Sequence, residues 1–429
     1  MRVMKDSGIA WIGEIPEEWK VSTIKREYHF QTGWTPDTTH EDYFLGGNIW
    51  VNISDLKSAT TYDSEKHISN EAVQSSSMNI SPKGSLMYAF KLSVGAVSFC
   101  GRDMYTNEAI ATFLPGKNSL RFLYYMAPIF IIRNANENIY GAKLLNQRLI
   151  RNAKIIIPPI AEQERIADYL DRKCSQIDAI IARQQEVIEK LKAYKLSVIT
   201  EAVTKGLNPH APMKDSGVEW IGKVPEQWRM IRLKFLMSDI IDCPHETPAY
   251  SDDGEYLVIR TADQDLGKLR ADQDMYRLNR NEYQNRIRRM ALNKNDIVYG
   301  REGERWGLAC LVPESNKYCL GQRMLQFRCK NELLLPHFAV WALNSKYIYL
   351  QGSVDTIGST SPHVNISTVQ NFLMPVPQIC EQQEITEYID KKMLQLDKDL
   401  LHRNTLIRKL IGYKKSLVYE VVTGKKEVI

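Results

Sequence analysis

The chain says nearly the same thing twice. Residues 4–20 (MKDSGIAWIGEIPEEWK) return as 213–229 (MKDSGVEWIGKVPEQWR), residues 162–171 (EQERIADYLD) as 381–390 (EQQEITEYID), and 194–198 (YKLSV) as 413–417 (YKKSL). A period of roughly two hundred residues is too long for a solenoid unit and fits a duplicated domain. Duplication predicts pseudo-symmetry, so whatever one half binds, the other should bind something related.

At 429 residues and 44% hydrophobic content, each half can bury a core without metals or crosslinks. The N-terminal residues lack the apolar run of a signal peptide, and no apolar stretch reaches transmembrane length, so a soluble, cytoplasmic protein with no membrane partner is expected. Seven cysteines form no C-x-x-C pair and fall mostly in apolar runs, which predicts buried free thiols and no zinc. The net charge of +5 permits a polyanionic partner without requiring one. Between Arg260 and Arg305 the chain carries nine arginines mixed with Tyr276, Tyr283, Tyr299 and Trp306. The guanidinium fork matches phosphate oxygens and the guanine edge, whereas a solvated face balanced by Asp263, Asp265, Asp272, Asp274, Glu302 and Glu304 explains the same run.

Each copy opens with the Trp/Gly/Pro segment, too broken for a long helix, and then enters short strands and loops. Strands are predicted over 48–53 and 85–90, with partners at 254–260 and 296–299 in the second copy. Helices are predicted over 120–132 and 336–350. His363, in a Gly/Ser/Thr-rich stretch, is expected to face solvent.

From about residue 162 to 203 there is neither proline nor glycine, and apolar residues recur at alternating steps of four and three. Leu170, Cys174, Ile177, Ile181, Gln184, Ile188, Leu191, Lys195 and Val198 form one seam; Ile389, Met393, Leu396, Leu400, Arg403, Ile407, Leu410, Lys414 and Leu417 repeat it 219 positions later. This is a coiled-coil pattern. If the helices pair antiparallel about a pseudo-two-fold axis, the central polar positions meet, and Gln184 should face Arg403; the alternative is that both snorkel to water. The same symmetry puts the end of the second helix, at Gly424, near residues 1–20.

Catalytic constellations are missing. No phosphate-binding G-x-x-x-x-G-K-[ST] or G-x-G-x-x-G occurs, the eight histidines never take metal-ligand spacing, and no methyltransferase tetrapeptide of the Asn/Asp-Pro-Pro-aromatic kind is present. Residues 300–307 (GREGERWG) are glycine-rich at the wrong spacing and are expected to form a strand-to-strand loop.

The repeated K-D-S-G-x-x-W-I-G-x-x-P-x-x-W segment, the apolar strand leading through Pro158-Pro159 into a long helix, and the close of that helix at 193–206 (AYKLSVITEAVTKG) together resemble the specificity subunits of type I restriction-modification systems. The intervening regions match only loosely, residues 107–110 (NEAI) corresponding to 322–325 (QRML). The resemblance implies an α+β fold of two pseudo-symmetric globular α/β target recognition domains separated by a long antiparallel two-helix coiled coil. It places the first recognition domain at 1–160, spacer helices at 161–205 and 380–424, the second domain at 206–379 and a tail at 425–429. It also implies an asymmetric bipartite double-stranded DNA site, read by a subunit that is itself non-catalytic. Two modification subunits would dock on the helices and flip an adenine, and restriction subunits would add translocation and cleavage. S-adenosylmethionine, ATP and Mg are expected on those partners, with no cofactor and no metal in this chain.

Base readout belongs on loops held by rigid strands. The candidates are Thr35, Asn52, Ser54, Lys91, Arg102, Lys143 and Asn146 in the first domain, and His245, Thr247, Arg260, Arg301, Arg305, Gln322, Arg323 and Ser359 in the second. A competing reading is a coiled-coil scaffold that joins two protein-binding domains without DNA.

Overall fold

In the computed structural model, which describes residues 2–428 apart from 77, 138–140, 142, 271, 304 and 355–361, the two uninterrupted heptad stretches form helices Ile160–Lys205 and Ile379–Val422. Each begins just after a strand closed by proline and ends where a glycine adopts a left-handed conformation, Gly206 at φ +74° and Gly424 at φ +72°. No helix among the described residues is long and apolar enough to cross a membrane.

The chain folds into two compact units, Met1–Arg183 with Leu406–Ile429, and Gln184–Thr405. Each unit therefore holds one mixed domain, the start of the helix that follows it and the last turns of the other helix. In the first unit Leu170, Ile177, Leu417 and Val421 share a buried cluster, with Ile181 and Leu410 packed against it; in the second, Val198, Ile199, Ile389 and Leu396 do, with Leu191 beside them. Ion pairs follow the duplication, Lys414 Nζ to Asp178 at 2.6 Å in the first unit and Lys195 Nζ to Asp397 at 2.5 Å in the second. Arg403 Nη1 donates to Gln184 Oε1 at 2.7 Å, so the two polar seam positions meet rather than both turning to water. Cys174, Ile188 and Met393 are buried, while Ile181, Gln184, Leu191, Leu400, Arg403, Ile407 and Leu410 are half-buried.

The first repeated segment is a hairpin, Met4–Asp6 with Glu14–Pro16 and Met213–Asp215 with Lys223–Pro225. Its tryptophan explains why it recurs. Trp19 Nε1 donates to Glu162 Oε2 and Trp228 Nε1 to Glu381 Oε2, each at 2.9 Å, so each hairpin is tied to the first turn of a long helix. The next residue in each copy is a fully buried glutamine. Gln163 accepts from Ser119 N and donates to Pro158 O, and Gln382 accepts from Leu335 N and donates to Leu333 O and Pro377 O, satisfying backbone groups that burial would otherwise strand.

Burial pulls the Glu162 pKa up, but the hydrogen bonds from Arg2 and Trp19 outweigh it and hold the carboxyl below the usual range. A depressed folded-state pKa stabilises fully above the unfolded value of about 4.3, and the contribution disappears as pH falls through the folded value. The melting-temperature gap between wild type and Glu162→Gln is therefore expected to be widest near neutrality and to close below about pH 4; a gap independent of pH between 7 and 3 would refute this.

The domains share one topology. In the first, a five-stranded sheet runs in the order Phe30–Thr32, Ile110–Phe113, Leu86–Ala89, Val97–Cys100, Thr60–Thr61, beside a three-stranded sheet centred on Asn48–Val51. In the second, Met237–Asp242, Met324–Cys329, Ile297–Gly300 and Ala309–Leu311 repeat the first four positions, and Tyr256–Ile259 is the centre of the smaller sheet.

Three expectations need correction. The predicted helix 336–350 is two, Pro336–Leu343 and Lys346–Ser353. At the break, Asn344 turns its amide to the backbone of Ala309, donating to its carbonyl at 2.8 Å and accepting from its N–H at 3.1 Å, a side-chain competitor that ends the helix. Cys380 is exposed, unlike the other six cysteines, because it lies two residues, about 200°, from the inward-facing Gln382. His363 is half-buried and its backbone bridges Glu302, so it is not an open loop residue.

Candidate nucleic-acid interface

Strand register gathers several candidates at one end of each sheet. In the first unit Leu86–Ala89 runs antiparallel to Ile110–Phe113 with Ala89 opposite Ile110, and Thr32 lies opposite Ala111 on the other side. The exits of the two outer strands thus meet the entry of the middle one. There the Thr35 hydroxyl donates to Glu108, and Lys91 Nζ lies 3.4 Å from Glu108 Oε1. Asn48–Val51 runs parallel to Tyr105–Thr106, which brings Asn52 beside Asn107, whose Nδ2 donates to Asn52 Oδ1 at 3.2 Å. Ser54 is exposed on the short turn that follows.

The remaining first-domain candidates do not join this group. Arg102 follows Val97–Cys100, whose antiparallel course puts it at the opposite end of the sheet. Lys143 pairs with Glu137 across a separate hairpin, and Asn146 caps helix Gln147–Asn152 by accepting from Leu149 N at 2.9 Å.

In the second unit Gly300 lies opposite Met324 and Asp242 opposite Leu325, which assembles the same three strand ends. Asp242 accepts from Arg301 Nε at 3.3 Å and contacts His245 Nε2 at 2.8 Å; Arg301 Nη1 reaches Glu302 at 2.9 Å, and Arg323 Nε stands 3.6 Å from Glu302. Gln322 Nε2 donates to Thr247 Oγ1 at 2.9 Å. Arg305 is exposed, with Nη2 donating to Gln264 O at 2.5 Å. Ser359 lies outside the described residues.

Packing sorts the arginine run. Arg260 is committed to Asp263 by two hydrogen bonds of 2.8 and 2.7 Å and lies 3.7 Å over the Tyr276 ring, a structural role that its sequence context did not reveal. Arg301 is 7% exposed between two carboxylates, whereas Arg323 and Arg305 are exposed, Arg305 with its fork bonded to the Gln264 carbonyl. Sequence reasoning missed Arg286 as a structural residue. Buried, it donates to Pro244 O, Glu246 O and Leu320 O and so clamps the 244–246 loop to the entry of Gln322 and Arg323. The carboxylates Glu108, Asp242 and Glu302 were also missed as partners. Glu108, through Thr35 first and then Lys91, is held below the usual carboxylate range.

Residues 16–190 and 226–404, most of the chain and both copies, match the model described as the type I restriction modification DNA specificity domain. The chain belongs to that family. A type I restriction enzyme MjaIX specificity subunit of Methanocaldococcus jannaschii is 22% identical over 427 residues, 93% of this chain and 94% of that protein. The EcoBI specificity subunit of Escherichia coli is 23% identical over 364 residues, 80% of this chain and 75% of its own length. The MjaVIII specificity subunit of M. jannaschii is 25% identical over 293 residues; the match takes in 67% of this chain and 65% of that protein. Two solved structures share the fold. One, from work on complex assembly and conformational transition of the type I R-M system, has a TM-score of 0.71 at 14% identity and covers 96% of this chain and 99% of that one. The other, the HsdS subunit from Thermoanaerobacter tengcongensis, scores 0.52 at 14% identity with 96% and 98% coverage. Each of the two segments matched to the specificity family contains one set of converging strand ends.

Proposed function

We infer that this chain supplies DNA-sequence specificity to a type I restriction-modification complex, reading an asymmetric bipartite double-stranded site with one half-site per unit. The observation that carries this is the convergence of Thr35, Asn52 and Lys91 in one unit, and of His245, Gln322 and Arg323 in the other, on topologically equivalent strand ends. Different side chains on the same scaffold are what two unlike half-sites require. The chain acts without catalysing. S-adenosylmethionine, ATP and Mg belong to the partners, two modification subunits and the restriction subunits, and the complex works in the cytoplasm. The two modification subunits would dock on the two long helices, whose duplication supplies two equivalent faces. Helix length would then set the gap between the half-sites.

The test is retention of duplex DNA by the chain assembled with its modification subunits. Binding is expected at low salt, with log affinity falling linearly as log salt rises and a tighter class of sites surviving at higher salt. Absence of retention at about 50 mM salt would favour a protein-joining scaffold instead.

A further inference from the structure

Equivalent loops carry opposite charges in the two units, one residue apart in strand register. Glu108 stands two residues before Ile110–Phe113, and Arg323 one residue before Met324–Cys329, in the short loops that enter the middle strand of each sheet. Both face solvent to a similar extent, 45% and 52% of the side chain. Both also keep unspent hydrogen-bonding capacity. The Glu108 oxygens meet only Thr35 and Lys91 among the described side chains, and an ionised carboxylate accepts about four hydrogen bonds. Arg323 approaches Glu302 through Nε alone, at 3.6 Å, which leaves both Nη groups of the fork without a hydrogen bond among the described residues. Its backbone sits at φ +70°, a conformation that L side chains rarely adopt, although glycine there would relieve it. Retained strain of this kind gathers at functional sites.

We propose that this loop carries the specificity-determining element of each half-site: Arg323 donates to a guanine edge through its free fork, and Glu108 accepts from the exocyclic amino group of cytosine or adenine. The pairing follows from the donor and acceptor patterns of the major groove, where guanine offers O6 and N7 to an arginine fork and a carboxylate needs an amino donor. Phosphate repels a carboxylate, whereas a base amino group can donate to it. The neighbours support each role. Thr35 and Lys91 each hold one oxygen of the Glu108 carboxylate, and the clamp made by Arg286 fixes the chain at Leu320, just before Arg323.

The proposal rests on the DNA-reading function, and the experiment separates the two. The full chain with its modification subunits is assayed for methylation across a randomised duplex library, as wild type and as Arg323→Lys, Arg323→Gly and Glu108→Gln. Each Arg323 variant is expected to lose discrimination at a single guanine of one half-site by about tenfold to a hundredfold, with the other half-site unchanged. Glu108→Gln should relax one position in the opposite half-site only. Arg323→Gly suits the backbone and should melt at or above the wild-type temperature, so its loss of specificity cannot be a folding failure. An unchanged motif in these variants, or a uniform drop across all sequences, overturns the proposal in favour of a phosphate-positioning or purely structural role. A wild-type complex that does not bind duplex at all overturns the functional reading itself.

Discussion

Replacing Trp19 with alanine is expected to destabilise the unit that contains it by about 3–5 kcal/mol, while Trp19→Phe loses about 1.5–3 kcal/mol. Trp19 is 1% exposed, and its indole joins three parts of the fold: the repeat hairpin, the first turn of Ile160–Lys205 through Glu162, and Gly424 at the end of the second helix. Alanine opens a cavity at that junction and removes the donor from a carboxylate only 7% exposed. Phenylalanine keeps most of the packing and loses only the donor. Trp228→Ala should act likewise on the other unit through Glu381, because the same contacts are repeated there. Calorimetry on the two single variants is expected to show different transitions lowered. Melting within about 1 °C of wild type, where an effect of this size predicts several degrees, would show that the junction carries little stability.

Two glycines of the second helix region should respond in opposite directions. A Cβ at Gly424 would stand 2.7 Å from Pro16 Cγ and closer still to Pro16 Cδ, on a backbone at φ +72°. A proline ring cannot swing aside, so Gly424→Ala combines overpacking with left-handed strain and is expected to cost about 2–4 kcal/mol. Gly412, inside Ile379–Val422, has nothing within 4 Å of its hypothetical Cβ. Gly412→Ala is expected to stabilise by roughly 0.5–1 kcal/mol, because alanine loses less backbone entropy on entering a helix. Equal effects of the two substitutions in thermal or urea unfolding would contradict the seating of the helix end on the first hairpin.

Much of the framework is legible because it is written in local patterns. Heptad spacing without proline or glycine foretells the long helices, and duplication with antiparallel pairing puts Gln184 against Arg403. The repeated Trp and Glu-Gln positions were visible as a signature, but that the indole of one meets the carboxylate of the other is a contact across 143 residues in the first copy. The candidate interface was legible only in part. Thr35, Asn52, Lys91, His245, Gln322 and Arg323 come together at strand ends, and those ends are predictable from alternation and turn residues. Arg102 failed the same logic, since an exit from an antiparallel neighbour points to the far end of the sheet.

By itself the sequence determined the duplication, the two helices with their polar central layer, and the family, all properties of spacing along the chain. Tertiary structure alone decided which arginines are spent on Asp263 or on loop carbonyls and which remain available, and it brought Glu108 and Arg323, opposite in charge, to equivalent loops. The reason is physical. Helix periodicity is set by neighbours within a turn or two, whereas partner choice for a charged side chain depends on strand order and register between segments dozens of residues apart.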